Sequence, residues 1–294
     1  GVQKTSMAGA NAARWTSRYG SLTFNQYGRE NPMGGMNEAG LVVELMWLDE
    51  TKYPSADARP ALDTLEWIQY QLDTAATVDE VLESHRAVRI RGGAPLHYLV
   101  SDARGRAAAV EFIDGRLVAH AGDSLPVAVL TNTKYKEAVA FLGSRGGRPP
   151  AGSGSNERFA RAALGIEKLR QSVVDDPVGA LFDVLDDVAQ PNTRWSIVYD
   201  QTKRIVHFRT DVHRPVRYLA LDSLDFGCRA GARLLDIDTR IQGDVVGKLK
   251  PYTAAANLAF ITRTYAASSV TRGTTASEIS SIAAHPDGAA CQGP

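Results

Sequence analysis

The sequence predicts an α+β sandwich, two antiparallel sheets packed together and covered by helices. Three observations lead there. Blocks of short strands alternate with helical pairs, the turns between strands are short and polar, and the strand-helix-strand regularity of a parallel sheet is missing. The 294 residues, 44% of them hydrophobic, can bury a large core.

The elements follow in order. The run GLVVELMWL, residues 40–48, is apolar almost throughout and fits a strand buried on both faces. Glu44 is its one charge, expected at the rim or paired, and Asn37-Glu38 just before it reads as a hairpin turn. Pro60 opens a segment with Leu62, Leu65, Ile68 and Leu72 at helical spacing, and Thr77 with Glu80 forms a capping box for a second helix. HYLVSDARGRAAAVEFI is a strand pair turning at Asp102–Gly105. Asp114-Gly115, the dipeptide of a primed two-residue turn, adds RLVAHA to the meander. Ser155 precedes a helix carrying Phe159, Ala162, Ala163, Ile166 and Leu169, and Asp176-Pro177 starts another. RWSIVYD, RIVHFRT and VRYLALD then form a second antiparallel set. Residues 1–267 read as one domain, with GGRPPAGSGS as a loop inside it, and 268–294, polar and small-residued, as a loosely ordered tail.

Composition narrows the function classes. Lys plus Arg and Asp plus Glu both number 33, so no net field draws the chain to nucleic acid or an anionic membrane. No apolar run reaches the roughly 18 residues of a bilayer span. The six histidines show no HExxH and no i,i+4 pair, the Gly-rich loop has no Walker lysine, and Gly152–Ser155 does not form a G-x-S-x-G elbow. No metal or cofactor is assigned. Cys228 and Cys291 form one bridge or none.

Three separated pieces, GGMNEAGLVVELMW, PVAVLTNTKY and GSGSNERFARAAL, together resemble the choloylglycine hydrolase and penicillin V acylase family, linear-amide C–N hydrolases of the N-terminal-nucleophile superfamily. The likeness continues through WSIVYD and RYLALDSLDF to about residue 266. It implies a four-layer αββα sandwich and a small-molecule acyl-amide substrate, with no cofactor. Asn132 matches the asparagine whose amide helps bind the oxyanion, and Arg158 matches the active-site arginine. Trp47 stands where bile salt hydrolases carry asparagine and penicillin V acylases tyrosine, at a position whose backbone N–H is the second oxyanion donor. Each residue also has a plainer reading: Asn132 as a turn former, Arg158 as a surface residue or partner of Glu157 or Asp175, Trp47 as core.

The resemblance places a nucleophilic cysteine at the mature N-terminus, followed by an arginine and an aspartate. GVQKTSMAGANAARWTSRYG offers none of them in that arrangement. The domain is therefore expected to be incomplete at its front, and residues 1–294 alone to be inactive. A non-catalytic sandwich that binds an amphipathic acyl ligand in the same cleft is the alternative. Family members occur in the cytoplasm and beyond the inner membrane, with export favoured here, and a homo-oligomer stays open.

Overall fold

The structure is a computed structural model and describes residues 1–291. The chain opens with β1 (Val2–Thr5), β2 (Arg14–Thr16), β3 (Ser21–Asn25), β4 (Pro32–Asn37) and β5 (Val42–Trp47). A helical insert follows, β6 (Ala61–Leu62), α1 (Thr64–Thr74), α2 (Val78–Glu83) and β7 (Arg89–Ile90), and then the meander β8 (Leu96–Ser101), β9 (Ala107–Ile113) and β10 (Arg116–Ala121). Helices α3 (Tyr135–Ser144), α4 (Ser155–Arg170) and α5 (Pro177–Asp187) lead to β11 (Trp195–Asp200), β12 (Ile205–Thr210) and β13 (Arg217–Ala220). The last stretch holds β14 (Arg233–Leu234), β15 (Gly243–Asp244), β16 (Lys250–Pro251), α6 (Ala254–Ala267), α7 (Ala276–Ala284) and β17 (Ala290–Cys291).

Two sheets carry the fold. The larger is six-stranded in the order β10-β9-β8-β5-β4-β3, and the smaller is four-stranded in the order β11-β12-β13-β15. Period-two alternation assigns their faces. Val43 of β5, Tyr98 and Val100 of β8, and Val110 and Phe112 of β9 pack against Trp67, Ile68 and Leu72 of α1, so α1 and α2 cover the outside of the larger sheet. Val42 of β5 points the other way, joining Phe24 and Met36 against Val206, Phe208 and Leu219 of the smaller sheet. On the outer face of that sheet the Arg209 guanidinium stacks over Phe182 of α5, 4.4 Å from its ring centroid. Helix, sheet, sheet and helix layers are all present, as the sequence predicts. Past the edge of the smaller sheet, Phe159 and Ala163 of α4 with Tyr135 and Ala138 of α3 cover Met46, Leu99 and Ala109 on the larger one.

Local signals explain most of these elements. At the β9–β10 turn Asp114 and Gly115 have φ of 50° and 78°, the left-handed pair that a primed turn requires. The Thr77 hydroxyl accepts from the Glu80 N–H at 3.3 Å, as the capping box predicts, and Asp176 caps α5 by accepting from the Gly179 N–H at 2.9 Å. The helix after Pro60 begins only at Thr64: Ala61 and Leu62 pair in parallel with Arg89 and Ile90. Residues 268–291, expected to be loosely ordered, contain α7, whose Thr275 and Glu278 form a capping box. Beyond it β17 pairs with β1, and a disulfide joins Cys228 to Cys291 with the Cα atoms 5.5 Å apart. Residues 292–294 of the expected tail lie outside the described residues.

Two polar groups on the central hairpin needed partners. Asn37 is fully buried. Its amide donates to the carbonyls of Leu72 (2.9 Å) and Ala75 (2.7 Å), and its carbonyl accepts from the N–H groups of Ala39 (3.1 Å) and Leu41 (3.0 Å). One side chain thus closes the hairpin and caps the end of α1. Glu44 reaches between the sheets and accepts from the Tyr199 hydroxyl, in the space left by Gly34, where a Cβ would collide with the carboxylate. Burial pushes the Glu44 carboxyl up from 4.5 to about 7, against the lowering effect of the Tyr199 hydrogen bond.

Two stability predictions follow from these groups. Asn37→Ala leaves two carbonyls and two N–H groups to find new partners, and it lowers unfolding stability by about 3 kcal/mol, measurable as a urea-midpoint shift. Glu44 has a folded value above its unfolded one, so its contribution is complete below pH 4.5 and is lost as pH rises through about 7. The loss is on the order of 3 kcal/mol. Urea midpoints measured across that range fall in the wild type and stay flatter in Glu44→Gln.

Candidate active site

The exit of β5 brings the three predicted residues together. Trp47 is its last residue, paired with Leu96 of β8. The next N–H, that of Leu48, donates to the Pro95 carbonyl at 2.9 Å. In an antiparallel ladder successive residues alternate direction. The Trp47 N–H and C=O therefore face away from β8, toward the side where β4 has already begun at Pro32 and offers no paired residue this far along. The indole is 38% exposed and donates through Nε1 to Asp49 Oδ1 at 2.6 Å, so it is neither core nor loose.

Asn132 meets that free side. Its Nδ2 donates to the Trp47 carbonyl at 3.0 Å, and its Oδ1 accepts from Arg158 Nη2 at 2.8 Å. A carboxamide nitrogen has two N–H bonds, so the second remains for a ligand oxygen on the side to which the Trp47 N–H is turned. Arg158, in the first turn of α4, also donates from Nε to the Ser153 carbonyl at 3.3 Å. It pairs with neither Glu157 nor Asp175. Burial and the nearby Arg161 charge lower its pKa, which still leaves a guanidinium positively charged. The loop thus presents an amide polarised by a cation, next to a strand end with free backbone polarity.

The base of this loop is held by residues that sequence reasoning missed. Thr131, Glu111, His97 and His120 are all buried. His97 Nε2 lies 2.6 Å from the Thr131 carbonyl, and its Nδ1 lies 3.3 Å from Glu111 Oε1. The same carboxylate accepts from the Tyr135 N–H at 2.9 Å and faces His120 Nε2 at 3.2 Å. Tyr135 starts α3, and its ring lies 4.9 Å from that of His120. Although burial raises the Glu111 carboxyl, the His97 and Tyr135 hydrogen bonds and the two imidazoles outweigh it and hold the group below its ordinary value. The Thr131 hydroxyl ties the loop onward to the Ser155 carbonyl at 3.0 Å, at the start of the helix that carries Arg158. The sequence signal was faint: His97, Glu111 and His120 occupy three neighbouring strands on the face turned toward α3 and α4, and each looks like an isolated polar residue. Among the described residues no set of His, Cys, Asp or Glu side chains is arranged to hold a metal ion.

A cleft of about 850 Å³ lies elsewhere, between the N-terminal segment and α7, lined in part by Arg14, Asp63, Arg91, Glu278 and His285. It contains none of the three residues. Its charges are mixed, and the Ser6 hydroxyl on its wall donates to the buried Glu66 carboxylate, which His285 also faces at 3.9 Å.

The chain is similar to known proteins. Residues 23–148, which include Trp47 and Asn132, match the family described as linear amide C-N hydrolases, choloylglycine hydrolase family. Over 301 aligned positions the chain is 27% identical to a penicillin V acylase of Pectobacterium atrosepticum, covering 85% of this chain and 80% of that one. The solved penicillin V acylase of Agrobacterium tumefaciens superposes with a TM-score of 0.75 at 29% identity, covering 85% of this chain and 86% of the other. A variant of the conjugated bile acid hydrolase of Clostridium perfringens, at 17% identity with a TM-score of 0.64 over 86% and 88% of the two chains, shares the fold. The matched segment and these proteins make the chain similar to the linear amide C–N hydrolases of the choloylglycine hydrolase family, and its sandwich is of the N-terminal-nucleophile hydrolase type.

Proposed function

We propose that the protein hydrolyses linear amides of small acylated amines, with Asn132 and the Trp47 N–H as oxyanion donors and Arg158 as the residue that polarises and orients Asn132. The observation that carries this reading is the Asn132 carboxamide fixed between the Trp47 carbonyl and the Arg158 guanidinium, with one N–H uncommitted. An amide carbonyl is a poor electrophile, and nucleophilic attack places a full charge on its oxygen. Donors already held in place stabilise that charge without reorganising. Arg158 adds to this by drawing electron density toward Asn132 Oδ1, which makes the opposite N–H a better donor.

The nucleophile in this reading is an N-terminal cysteine outside residues 1–294. Cys228 and Cys291 are joined to each other, and neither has a free α-amine beside its sulfur. An N-terminal amine with a pKa of about 8 is close enough to working pH to take the thiol proton and later return it to the departing amine. Water then releases the acyl group, a route that calls on no metal or cofactor. The relatives named penicillin V acylase favour an aromatic acyl group, and the half-exposed indole of Trp47 offers such a group an apolar face.

The test compares residues 1–294 with a form extended upstream through the nucleophile, assayed on a panel of phenoxyacyl, straight-chain acyl and bile-acid amides. The extended form hydrolyses amides and the shorter one does not. Ligand binding without turnover in the extended form would instead support the non-catalytic alternative. In the extended enzyme Asn132→Ala lowers kcat by about 10²–10³ while the fold persists by circular dichroism. A wild-type kcat would remove Asn132 from the mechanism. Trp47→Tyr changes the kcat/KM ratio between aromatic and straight-chain substrates by an amount equivalent to about 1–3 kcal/mol. Unchanged ratios across the panel would limit Trp47 to its backbone.

A further inference from the structure

We propose that His97, held as a double hydrogen-bond donor between the Glu111 carboxylate and the Thr131 carbonyl, is a positioning residue for the Asn132 carboxamide. The role rests on the oxyanion reading of Asn132. The double-donor state does not, since it follows from the contacts of His97 with Glu111 ionised.

Both ring nitrogens of His97 face oxygens. The carbonyl of Thr131, 2.6 Å from Nε2, can only accept a hydrogen bond. On the other side Glu111 Oε1, 3.3 Å from Nδ1, already accepts from the Tyr135 N–H, and Oε2 faces His120. A carboxylate in this setting is also an acceptor. A neutral imidazole has one donor and one acceptor, so it would leave one nitrogen lone pair against an oxygen lone pair in a fully buried place. The ring that satisfies both contacts carries two protons, and the ionised Glu111 compensates its charge.

The mechanical consequence lies one residue away. Thr131 is anchored at its carbonyl by His97 and at its hydroxyl by Ser155, Tyr135 is anchored at its N–H by Glu111, and the Tyr135 hydroxyl donates to the Val127 carbonyl at 2.8 Å. Asn132 is the exposed residue between these anchored ends. Its amide aims at the Trp47 strand end only while the loop keeps this shape, and a displacement on the ångström scale at a reacting centre is enough to lose much of the rate. His97 also stands on β8, directly opposite Met46 of β5, so it links the loop to the strand that supplies the second donor.

Two measurements test the proposal. In the 1–294 chain, long-range proton–nitrogen spectra of selectively labelled histidine at neutral pH show both His97 nitrogens protonated; one unprotonated nitrogen overturns the proposal. In the upstream-extended enzyme, His97→Gln keeps a donor where Nε2 stood and His97→Asn keeps one where Nδ1 stood. We expect His97→Gln to stay within about threefold of wild-type kcat and His97→Asn to lose about tenfold, with KM changed less than about threefold in both. Equal kcat losses in the two variants, or losses that appear in KM, overturn the positioning role. A variant that fails to fold leaves the decision to the spectra. If Asn132→Ala is as active as wild type, the oxyanion reading falls, and the spectra still decide the state of His97.

Discussion

The central strand β5 is covered on both faces, and much of the molecule follows from that constraint. Val43 and Leu45 point into the helical layer while Val42 and Met46 point toward the smaller sheet and α4. A strand so enclosed has no solvent to satisfy polar groups along its length, so each must find a partner within the protein. Asn37 at its entry uses both amide hydrogens and its carbonyl on backbone groups. Glu44 at its middle takes a tyrosine hydroxyl and the room left by a glycine. Only at Trp47 does the cover end. The backbone emerges there with its polar groups turned away from β8, so the fold provides a directed N–H at the one place where the strand is open.

The loop that reaches this strand end combines an exposed tip with a buried root. Exposed asparagines on surface loops usually sample several rotamers, and a donor that must be frozen at each turnover gives back part of its benefit as entropy. Here Asn132 is held by contacts at both ends of its amide, and the backbone on either side is held by buried hydrogen bonds. The charges alternate outward from the core: histidines around Glu111, then the neutral Asn132, then Arg158. Such an order keeps a buried ionic cluster at the root of the loop and a guanidinium at its tip.

Features written within a few adjacent residues were legible in the sequence. The Asp114-Gly115 turn, the Thr77–Glu80 box and the Asp176 cap need only neighbours, and all three occur as expected. The Thr275–Glu278 box of α7 was equally local, but it lay among small polar residues that read as a tail. Helix α3 gave no cap signal because Lys134 at its start has no capping side-chain bond. Leu62 fell in helical register with Leu65 and Ile68 and was recruited instead into a parallel pair with Ile90, a partner that periodicity cannot foresee. The site shows the same division. Asn132, Arg158 and Trp47 were singled out through motif resemblance, whereas the Glu111 cluster assembles residues from three strands and a loop, and no window of sequence contains it.

The Cys228–Cys291 bridge sets a practical condition on any thiol chemistry in this protein. It fastens β17, and through it β1, to the segment between β13 and β15 of the smaller sheet, across a sequence separation of 63. A cysteine nucleophile of the proposed kind works only as a free thiol, and oxidation silences it. The two sulfur sites therefore ask for opposite handling. A reductant strong enough to rescue an oxidised nucleophile also threatens the clasp, and an oxidant that forms the clasp threatens the nucleophile. If the proposed nucleophile acts in this protein, purified material would hold both in the right state only within a window of redox potential, bounded below by the bridge and above by the proposed nucleophile.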